Sequence, residues 1–241
     1  MAAMKPGSRK PVSSDRPRGR TVVFAFAAAV FAAAALILVA LVLRSDGDTP
    51  APTPSPGVEL TGIPQDDRVL GNAAAKVILI EYADPQCPAC RSYAEDLFPT
   101  VVGEYVRPGT VANEFRGFPF IGPDSVKALR FIFAAGLQDK LWQFQEALYR
   151  NQGGENDGWV TDDLLREVAS EISGLDVDKL FSDAESESIK QEADAASGEA
   201  EAAGVQGTPS FFVKIGDAEP YFIQVASADQ MRAALDDALS E

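Results

Sequence analysis

The chain has no histidine and only two cysteines among its 241 residues, so several metal-based functions lack the ligands that they need. A structural zinc site takes four Cys, His or acidic ligands, usually Cys and His, and an iron–sulfur cluster needs a similar set of thiolates. Covalent haem attachment requires a histidine directly after the second cysteine, and Arg91 occupies that position. We therefore expect neither a metal nor a bound cofactor.

The two cysteines, Cys87 and Cys90, form a Cys-Pro-Ala-Cys motif shortly after the apolar run 77–80. A strand that delivers such a pair to the start of a helix is typical of dithiol–disulfide exchange sites. Unpaired N–H groups in the first helical turn stabilise the first thiolate, and the second thiol, one turn later, resolves mixed disulfides. The alternative is a purely structural disulfide, which would close a very short loop and contribute little stability. The motif favours redox catalysis by Cys87 and Cys90.

The first 57 residues divide into three segments of different composition. Residues 1–20 are basic, with six Lys or Arg against Asp15 alone, and residues 21–43 carry no charge. A helix over 21–43 would span roughly 34 Å at about 1.5 Å per residue, enough for the core of a bilayer. Four prolines in residues 44–57 predict an extended linker.

The position of the basic residues predicts how this segment is oriented. Basic residues before an apolar span keep the N-terminus in the cytoplasm, so we expect a single-pass cell-membrane protein with everything after Arg44 outside. The alternative is a cleaved signal peptide, which usually has an apolar region of about 7 to 15 residues and a small-x-small cleavage site. Residues 41–45 offer no good site, which favours an uncleaved anchor.

The chain carries a formal net charge of −15 although its N-terminal segment is basic. An acidic surface repels nucleic acid and the anionic faces of membranes, so neither is an expected partner. The densest acidic run, residues 183–201, has two interpretations: a docking surface for basic clients, or a solvated helix face.

Residues 58–241 have the length of one domain with a sizeable core. The continuous apolar run in 77–83 predicts a buried strand, and 87–106 predicts a helix interrupted at Pro99. A second strand is predicted at 110–118. A helical block follows, with Thr161 as an N-cap, then strands at 210–214 and 221–224, and a last helix capped by Ser227. The order is β-α-β, a helical insert, and β-β-α.

Several segments together resemble the DsbA-like thioredoxin-fold oxidoreductases. The resembling segments are Gly62-Ile63-Pro64-Gln65, Val77-Ile78-Leu79-Ile80-Glu81-Tyr82, Cys87-Pro88-Ala89-Cys90, Phe118-Pro119, Leu141-Trp142-Gln143-Phe144-Gln145-Glu146-Ala147-Leu148 and Gly207-Thr208-Pro209-Ser210-Phe211-Phe212. The resemblance covers nearly all of residues 60–241. It implies an α/β thioredoxin fold with a helical domain inserted at about 122–204, here preceded by the predicted transmembrane helix.

The resemblance also implies roles for three residues outside the cysteine pair. Thr208–Pro209 would be a cis peptide beside the disulfide, and the backbone before the proline would bind client peptides by strand addition. The alternative is an ordinary trans proline in a turn. Glu81 would lie beneath Cys90 and exchange a proton with its thiol. The alternative is a Glu at the end of the strand that turns to solvent, and Asp84 is expected to be a loop residue that modestly disfavours the thiolate.

The best-known oxidases of this family have an active-site motif that resembles Cys-Pro-His-Cys, whereas this chain has Ala89 in place of the histidine. Without an imidazole, the Cys87 thiolate is expected to be less stable and the disulfide a milder oxidant. The sequence favours an extracytoplasmic oxidase that forms disulfides in exported clients and is reoxidised by a membrane partner of the DsbB or vitamin K epoxide reductase type. Two alternatives remain: a reductase, for example in cytochrome c maturation, and a non-catalytic client-binding domain.

Overall fold

The computed structural model describes residues 57–241. The predicted basic tail, transmembrane anchor and nearly all of the linker lie outside the described residues. Among residues 57–241, no helix has the length and apolar content needed to cross a bilayer.

A six-stranded sheet forms the centre of the described domain, in the order β1-β2-β4-β3-β5-β6. Its strands are β1 (Gln65–Asp66), β2 (Val69–Leu70), β3 (Val77–Ala83), β4 (Val111–Gly117), β5 (Ser210–Ile215) and β6 (Tyr221–Ile223). Strands β3 and β4 run parallel, and every other neighbouring pair is antiparallel. The parallel pair needs a crossover connection, and the helix that carries the two cysteines provides it.

Eight α-helices surround the sheet within these residues. They are α1 (Pro88–Asp96), α2 (Phe98–Val101), α3 (Pro123–Gly136), α4 (Leu141–Arg150), α5 (Asp162–Ser170), α6 (Val177–Ala184), α7 (Glu187–Ala202) and α8 (Ala228–Ser240). Helices α3 to α7 follow β4 and precede β5, so they form the helical insert that the resemblance implies. The thioredoxin-like α/β fold with a helical insertion is therefore confirmed.

Strand β3 is buried along most of its length because it lies between β4 and β5 and is covered on both faces. Alternate side chains point to opposite faces. Leu79 and Ala83 belong to the larger core with α1, α3 and α4, whereas Ile80 and Tyr82 pack in a smaller cluster that includes Ala200 of α7. Glu81 has the same parity as Leu79 and therefore points into the larger core, towards the helix of the cysteines.

The predicted helix over 87–106 is interrupted near Pro99, as expected. Helix α1 ends at Asp96, α2 begins at Phe98, and a five-residue π-helical segment, Val102–Val106, completes the stretch. Proline fits the first turn of the new helix because its missing N–H would have no helical acceptor there. The sequence did not predict β1 and β2, which are too short to show a periodic pattern.

Side-chain caps begin one helix of the insert and the last helix of the domain. The hydroxyl of Thr161 accepts the Leu164 N–H, and that of Ser227 accepts the Gln230 N–H, so both predicted N-caps are confirmed. The acidic run 183–201 includes nearly all of α7, whose buried face is apolar: Ile189, Ala193, Ala196 and Ala200. Its acidic side chains lie on the remaining, solvated face, which favours the simpler interpretation of this run.

Candidate active site

The cysteine pair lies where β3 leads into α1. Cys87 is the N-cap residue of α1, and Cys90 lies three positions later in its first turn. Both side chains are buried, but Cys87 retains 7% of its exposure and Cys90 none. Cys87 lies at the start of the helix, as the motif predicts, but a nucleophile there would be expected to be exposed, and it is buried with the Thr208 backbone against its sulfur. The Cys87 Sγ lies 3.4 Å from the Thr208 carbonyl oxygen, to which the thiol donates when it is protonated.

The pKa values of the two thiols are shifted in opposite directions. The pKa of Cys87 is lowered to about 6, first by hydrogen bonding from the Cys90 thiol and then by Thr208 and the N–H groups of Cys90 and Ala89, against the effect of burial. The pKa of Cys90 is raised, first by burial and then by its neighbour Cys87. At neutral pH the first sulfur is therefore a thiolate and the second a thiol. The arrangement distinguishes a nucleophile from a resolving cysteine.

The Thr208–Pro209 peptide bond is cis, as the resemblance implies. Pro209 directly precedes β5, which pairs with β3, so the loop 207–209 lies beside the end of β3 and the cysteine loop. Residues Phe211 to Val213 of β5 are paired on both sides. The loop 207–209 lies outside this pairing, next to Cys87, and its Gly207 carbonyl accepts the Ser210 hydroxyl.

Glu81 is 1% exposed and is the fifth of the seven residues of β3. Its burial rules out the alternative in which it turns to solvent at the end of the strand. Its Oε1 atom lies 3.5 Å from the Gln145 amide, and its Oε2 has no hydrogen-bond partner among residues 57–241. Burial raises the pKa of Glu81 to about 8, although the nearby side-chain amides of Asn113 and Gln145 oppose this shift. The carboxyl is therefore mainly protonated at pH 7.

Two buried tyrosines, Tyr93 and Tyr149, lie near both Glu81 and Cys90. The pKa values of Tyr93 and Tyr149 are raised, first by burial and then by nearby anions, and Glu81 and Cys90 are among those anions for both residues. The carboxyl and the thiol therefore each act on both phenols. This arrangement suits the proton exchange between Glu81 and Cys90 that the resemblance implies.

The loop 84–87 before the nucleophile is held mainly by the helical insert. The buried Asp84 carboxylate accepts the Gln86 N–H at 2.8 Å, the Ile121 N–H at 3.0 Å and the Ser125 hydroxyl. Asp84 does lie in a loop, as expected, but it is completely buried and organises that loop. Burial raises its pKa, whereas these hydrogen bonds lower it.

Gln86 and the backbone carbonyls of the loop make further contacts to the insert. The Gln86 amide donates to Ser125 and Asn156, and its oxygen accepts the Asn156 N–H at 2.7 Å. Gln152 donates to the carbonyls of Pro85 and Cys87 at 2.9 and 3.2 Å, and the Tyr149 hydroxyl donates to that of Asp84 at 3.3 Å. We call the loop 84–87 with these insert side chains the loop clamp. Sequence reasoning missed it, because its partners lie 39 to 70 residues apart and no local motif marks them.

Comparison with known proteins agrees with this geometry. A family model described as thioredoxin matches residues 64–237. A probable disulfide bond formation protein D of Bacillus cereus is 35% identical over 175 residues, which cover 71% of this chain and 78% of that protein. The chain belongs to the DsbA-like thioredoxin-fold family. It is a protein disulfide oxidoreductase, as the sequence predicted.

Other members of this DsbA-like family share the architecture. The crystal structure of oxidised BdbD from Bacillus subtilis superimposes with a TM-score of 0.64 at 23% identity. The superposition covers 77% of this chain and 97% of the BdbD chain. A thioredoxin-like oxidoreductase from Silicibacter pomeroyi gives a TM-score of 0.56 at 30% identity, over 72% of this chain and 92% of its own. The insert and the sheet order are therefore those of DsbA-like proteins.

Proposed function

We propose that the chain is an extracytoplasmic oxidase that introduces disulfides into exported proteins, with Cys87 as the nucleophile and Cys90 as the resolving cysteine. The observation that carries the proposal is the opposite shift of the two thiol pKa values. A stabilised Cys87 thiolate favours the reduced pair over the disulfide. The disulfide is thereby made easier to reduce, which is the property of an oxidant.

The reaction proceeds in two exchanges. A client thiolate attacks the Cys87 sulfur, breaks the Cys87–Cys90 bond and leaves two electrons on Cys90, whose sulfur takes a proton. A second client thiolate then attacks the client sulfur of the mixed disulfide and releases Cys87 as a thiolate. The low pKa of Cys87 makes it a good leaving group in this second step. Glu81 is the proposed donor of the proton to Cys90.

The loop 207–209 is the proposed client-binding element, with Thr208 and Pro209 as its contact residues. The carbonyl oxygen of Thr208 lies beside Cys87, so an extended client held by this backbone would present its cysteine to the reactive sulfur. Reoxidation of the pair is assigned to a quinone-linked membrane protein of the DsbB or vitamin K epoxide reductase type. The proposed extracytoplasmic location supports oxidation over reduction, because disulfides in exported proteins are normally formed rather than removed.

The redox state of the pair in cells tests the proposal against its alternatives. An oxidase keeps Cys87–Cys90 mostly as a disulfide, and a reductase keeps it mostly as a dithiol, as alkylation after acid quenching would show. A non-catalytic binding domain predicts that a variant without both cysteines still binds clients and that the unaltered protein forms no disulfides in them. Either of the last two results would replace the proposed function.

We expect the full-length protein to sediment with membranes and a reporter fused after Glu241 to be active only outside the cytoplasm. The physical reason is the uncharged segment 21–43, which follows a basic tail. Fractionation and reporter activity measure the two properties. Recovery of a soluble form that begins near Ser45 would show a cleaved signal instead.

Replacement of Ala89 by histidine is expected to lower the Cys87 pKa further and to raise the reduction potential of the pair. The Cys87 pKa of about 6 lies between roughly 7 for thioredoxin and about 3.5 for DsbA, which agrees with a milder oxidant. An imidazolium at position 89 would favour the thiolate, and each pKa unit corresponds to about 1.4 kcal/mol. Thiolate absorbance against pH and equilibration with glutathione measure both quantities.

Ala89→Gln is the matched control, since it adds a polar side chain of similar size without a positive charge. A histidine variant that behaves like the glutamine variant would show that the backbone and Cys90 alone set the thiol pKa.

A further inference from the structure

A small buried cavity lies between β3, α1 and α4. Its wall includes Glu81, Tyr93, Trp142, Gln145, Glu146 and Tyr149. The centre of a water molecule has about 10 Å³ in which to move there, which is room for about one water. The cavity is therefore small and next to the proposed proton donor.

The polar atoms around this cavity lack partners within the described residues. Glu81 Oε2, Tyr93 Oη, Trp142 Nε1 and Gln145 Oε1 are all buried and make no hydrogen bond to the protein. Buried polar groups are almost always paired, and ordered water is the usual partner when no protein group is available. Donors and acceptors are both present, so a single water molecule in the cavity would find the two to four partners that it needs.

Glu146 connects this cavity with solvent. Its side chain retains 14% of its exposure, and the residue also lines two open clefts, the larger of about 600 Å³. The larger cleft lies against residues 57–63, and the Val58 N–H donates to the Glu146 Oε1. The same residue thus belongs to the wall of the buried cavity and to the protein surface.

We propose that Glu146 is the outer end of a proton path that joins solvent, through one buried water and Glu81, to the sulfur of Cys90. The proposal rests on the proposed exchange function and adds a proton-relay residue to it. Glu146 does not touch the reacting sulfurs, so it acts through Glu81.

The reaction requires that Cys90 gain a proton when the disulfide is reduced and lose it when the pair is reoxidised. When a client reduces the disulfide, Cys90 leaves as a thiolate and takes the proton of the Glu81 carboxyl. Glu81 is then a buried anion and regains a proton from the cavity water, which is reprotonated by Glu146 and finally by solvent. When the pair is reoxidised, the Cys90 thiol loses its proton, and the same groups carry it outwards. No step consumes a further oxidant or reductant.

The groups that face Glu146 suit a relay. Arg150, one turn later on α4, lies 3.5 Å from its Oε1. Glu81, Tyr93 and Tyr149 face it across the cavity. Burial raises the pKa of Glu146, and the Val58 N–H and Arg150 lower it by smaller amounts. The pKa of Glu146 is therefore shifted upwards, towards pH 7. A relay residue accepts and donates a proton most readily when its pKa is near the working pH.

The test follows the reduction of the disulfide form of the full-length protein by dithiothreitol in stopped flow. Trp142 in the cavity wall is one of only two tryptophans in the chain and serves as the fluorescent reporter. We expect Glu146→Gln to slow the reduction roughly tenfold near pH 7 and to change the dependence of its rate on pH. Glu146→Asp should retain most of the rate because it keeps the carboxyl.

Glu146→Ala provides a stricter version of the same test. Removal of the side chain opens the cavity to the clefts, so added formate should restore the rate in proportion to its concentration. If Glu146 had only a structural role, formate would not restore the rate of reduction in the alanine variant. Glu171→Gln is the matched control, since Glu171 lines the larger cleft but not the buried cavity; its rate should be unchanged with or without formate.

Two results would overturn the proposal. One is an unchanged rate and pH profile in Glu146→Gln, and the other is a slow Glu146→Ala variant that formate does not restore. Failure of the proposed function itself would be seen separately, as an absence of exchange with client thiols in the unaltered protein.

Discussion

Cys90→Ser is expected to accumulate mixed disulfides between Cys87 and exported clients, whereas Cys87→Ser should form almost none. Cys87 is the thiolate at neutral pH, because its pKa is lowered to about 6, and it is the one residue of the pair that retains some exposure, 7% against 0% for Cys90. Cys90 is buried, its pKa is raised, and it is the group that would release a bound client. Exchange activity of Cys87→Ser should fall by at least about 10³-fold, the scale on which removal of a covalent nucleophile acts.

Non-reducing electrophoresis after acid quenching measures the mixed disulfides, and reduction should collapse them to the monomeric band. The doubly substituted variant, Cys87→Ser with Cys90→Ser, is the control for thiol-independent aggregation. Equal trapping by the two single variants would remove the basis for Cys87 as the nucleophile.

Replacement of Glu81 by glutamine is expected to stabilise the oxidised protein at pH 8 but not at pH 5. The folded pKa of Glu81 is about 8 against 4.5 for a free side chain, so folding favours its neutral form. The contribution of Glu81 is fully favourable below about pH 4.5 and is lost progressively as the pH rises towards 8. Glutamine stays neutral, so the variant should gain up to roughly 4 kcal/mol over the unaltered protein at pH 8.

Urea denaturation of the disulfide form at pH 5, 6.5 and 8 measures this difference. The disulfide form is required because the Cys87 thiol has the opposite linkage: its lowered pKa stabilises the reduced fold as the pH rises above 6. Glu171→Gln at an exposed site should leave the pH dependence unchanged. Parallel stability curves for the Glu81→Gln variant and the unaltered protein would show that Glu81 is ionised at pH 7.

The sequence predicted the central strand, the crossover helix and the insert because each depends on local signals. The continuous apolar run of β3, the proline near the helix break and the caps at Thr161 and Ser227 act within a few residues of their effects. The element boundaries agree with the structure to within a few residues for the same reason.

The loop clamp and the cavity could not be predicted in this way. Asp84 and Ser125 are 41 residues apart, and Gln86 and Asn156 are 70 apart. Their contacts depend on how the insert returns to the sheet, which no local pattern encodes. The burial of Cys87 was missed for a similar reason, since Thr208 lies 121 residues away. Glu146 showed no sequence signal, because a partly buried Glu on an amphipathic helix looks like an ordinary surface residue.

The loop clamp has a consequence for the integrity of the domain. The insert supplies the hydrogen-bond partners of Asp84 and Gln86, both completely buried. A shortened chain without α3 to α5 would remove the Ser125 hydroxyl from Asp84 and the Ser125 and Asn156 partners from Gln86, at a cost of about 1–3 kcal/mol for each buried group left unpaired. The insert is therefore no detachable module: the thioredoxin core and the insert should unfold as one cooperative unit. A minimal redox domain cannot be excised from this chain without rebuilding the loop that presents Cys87.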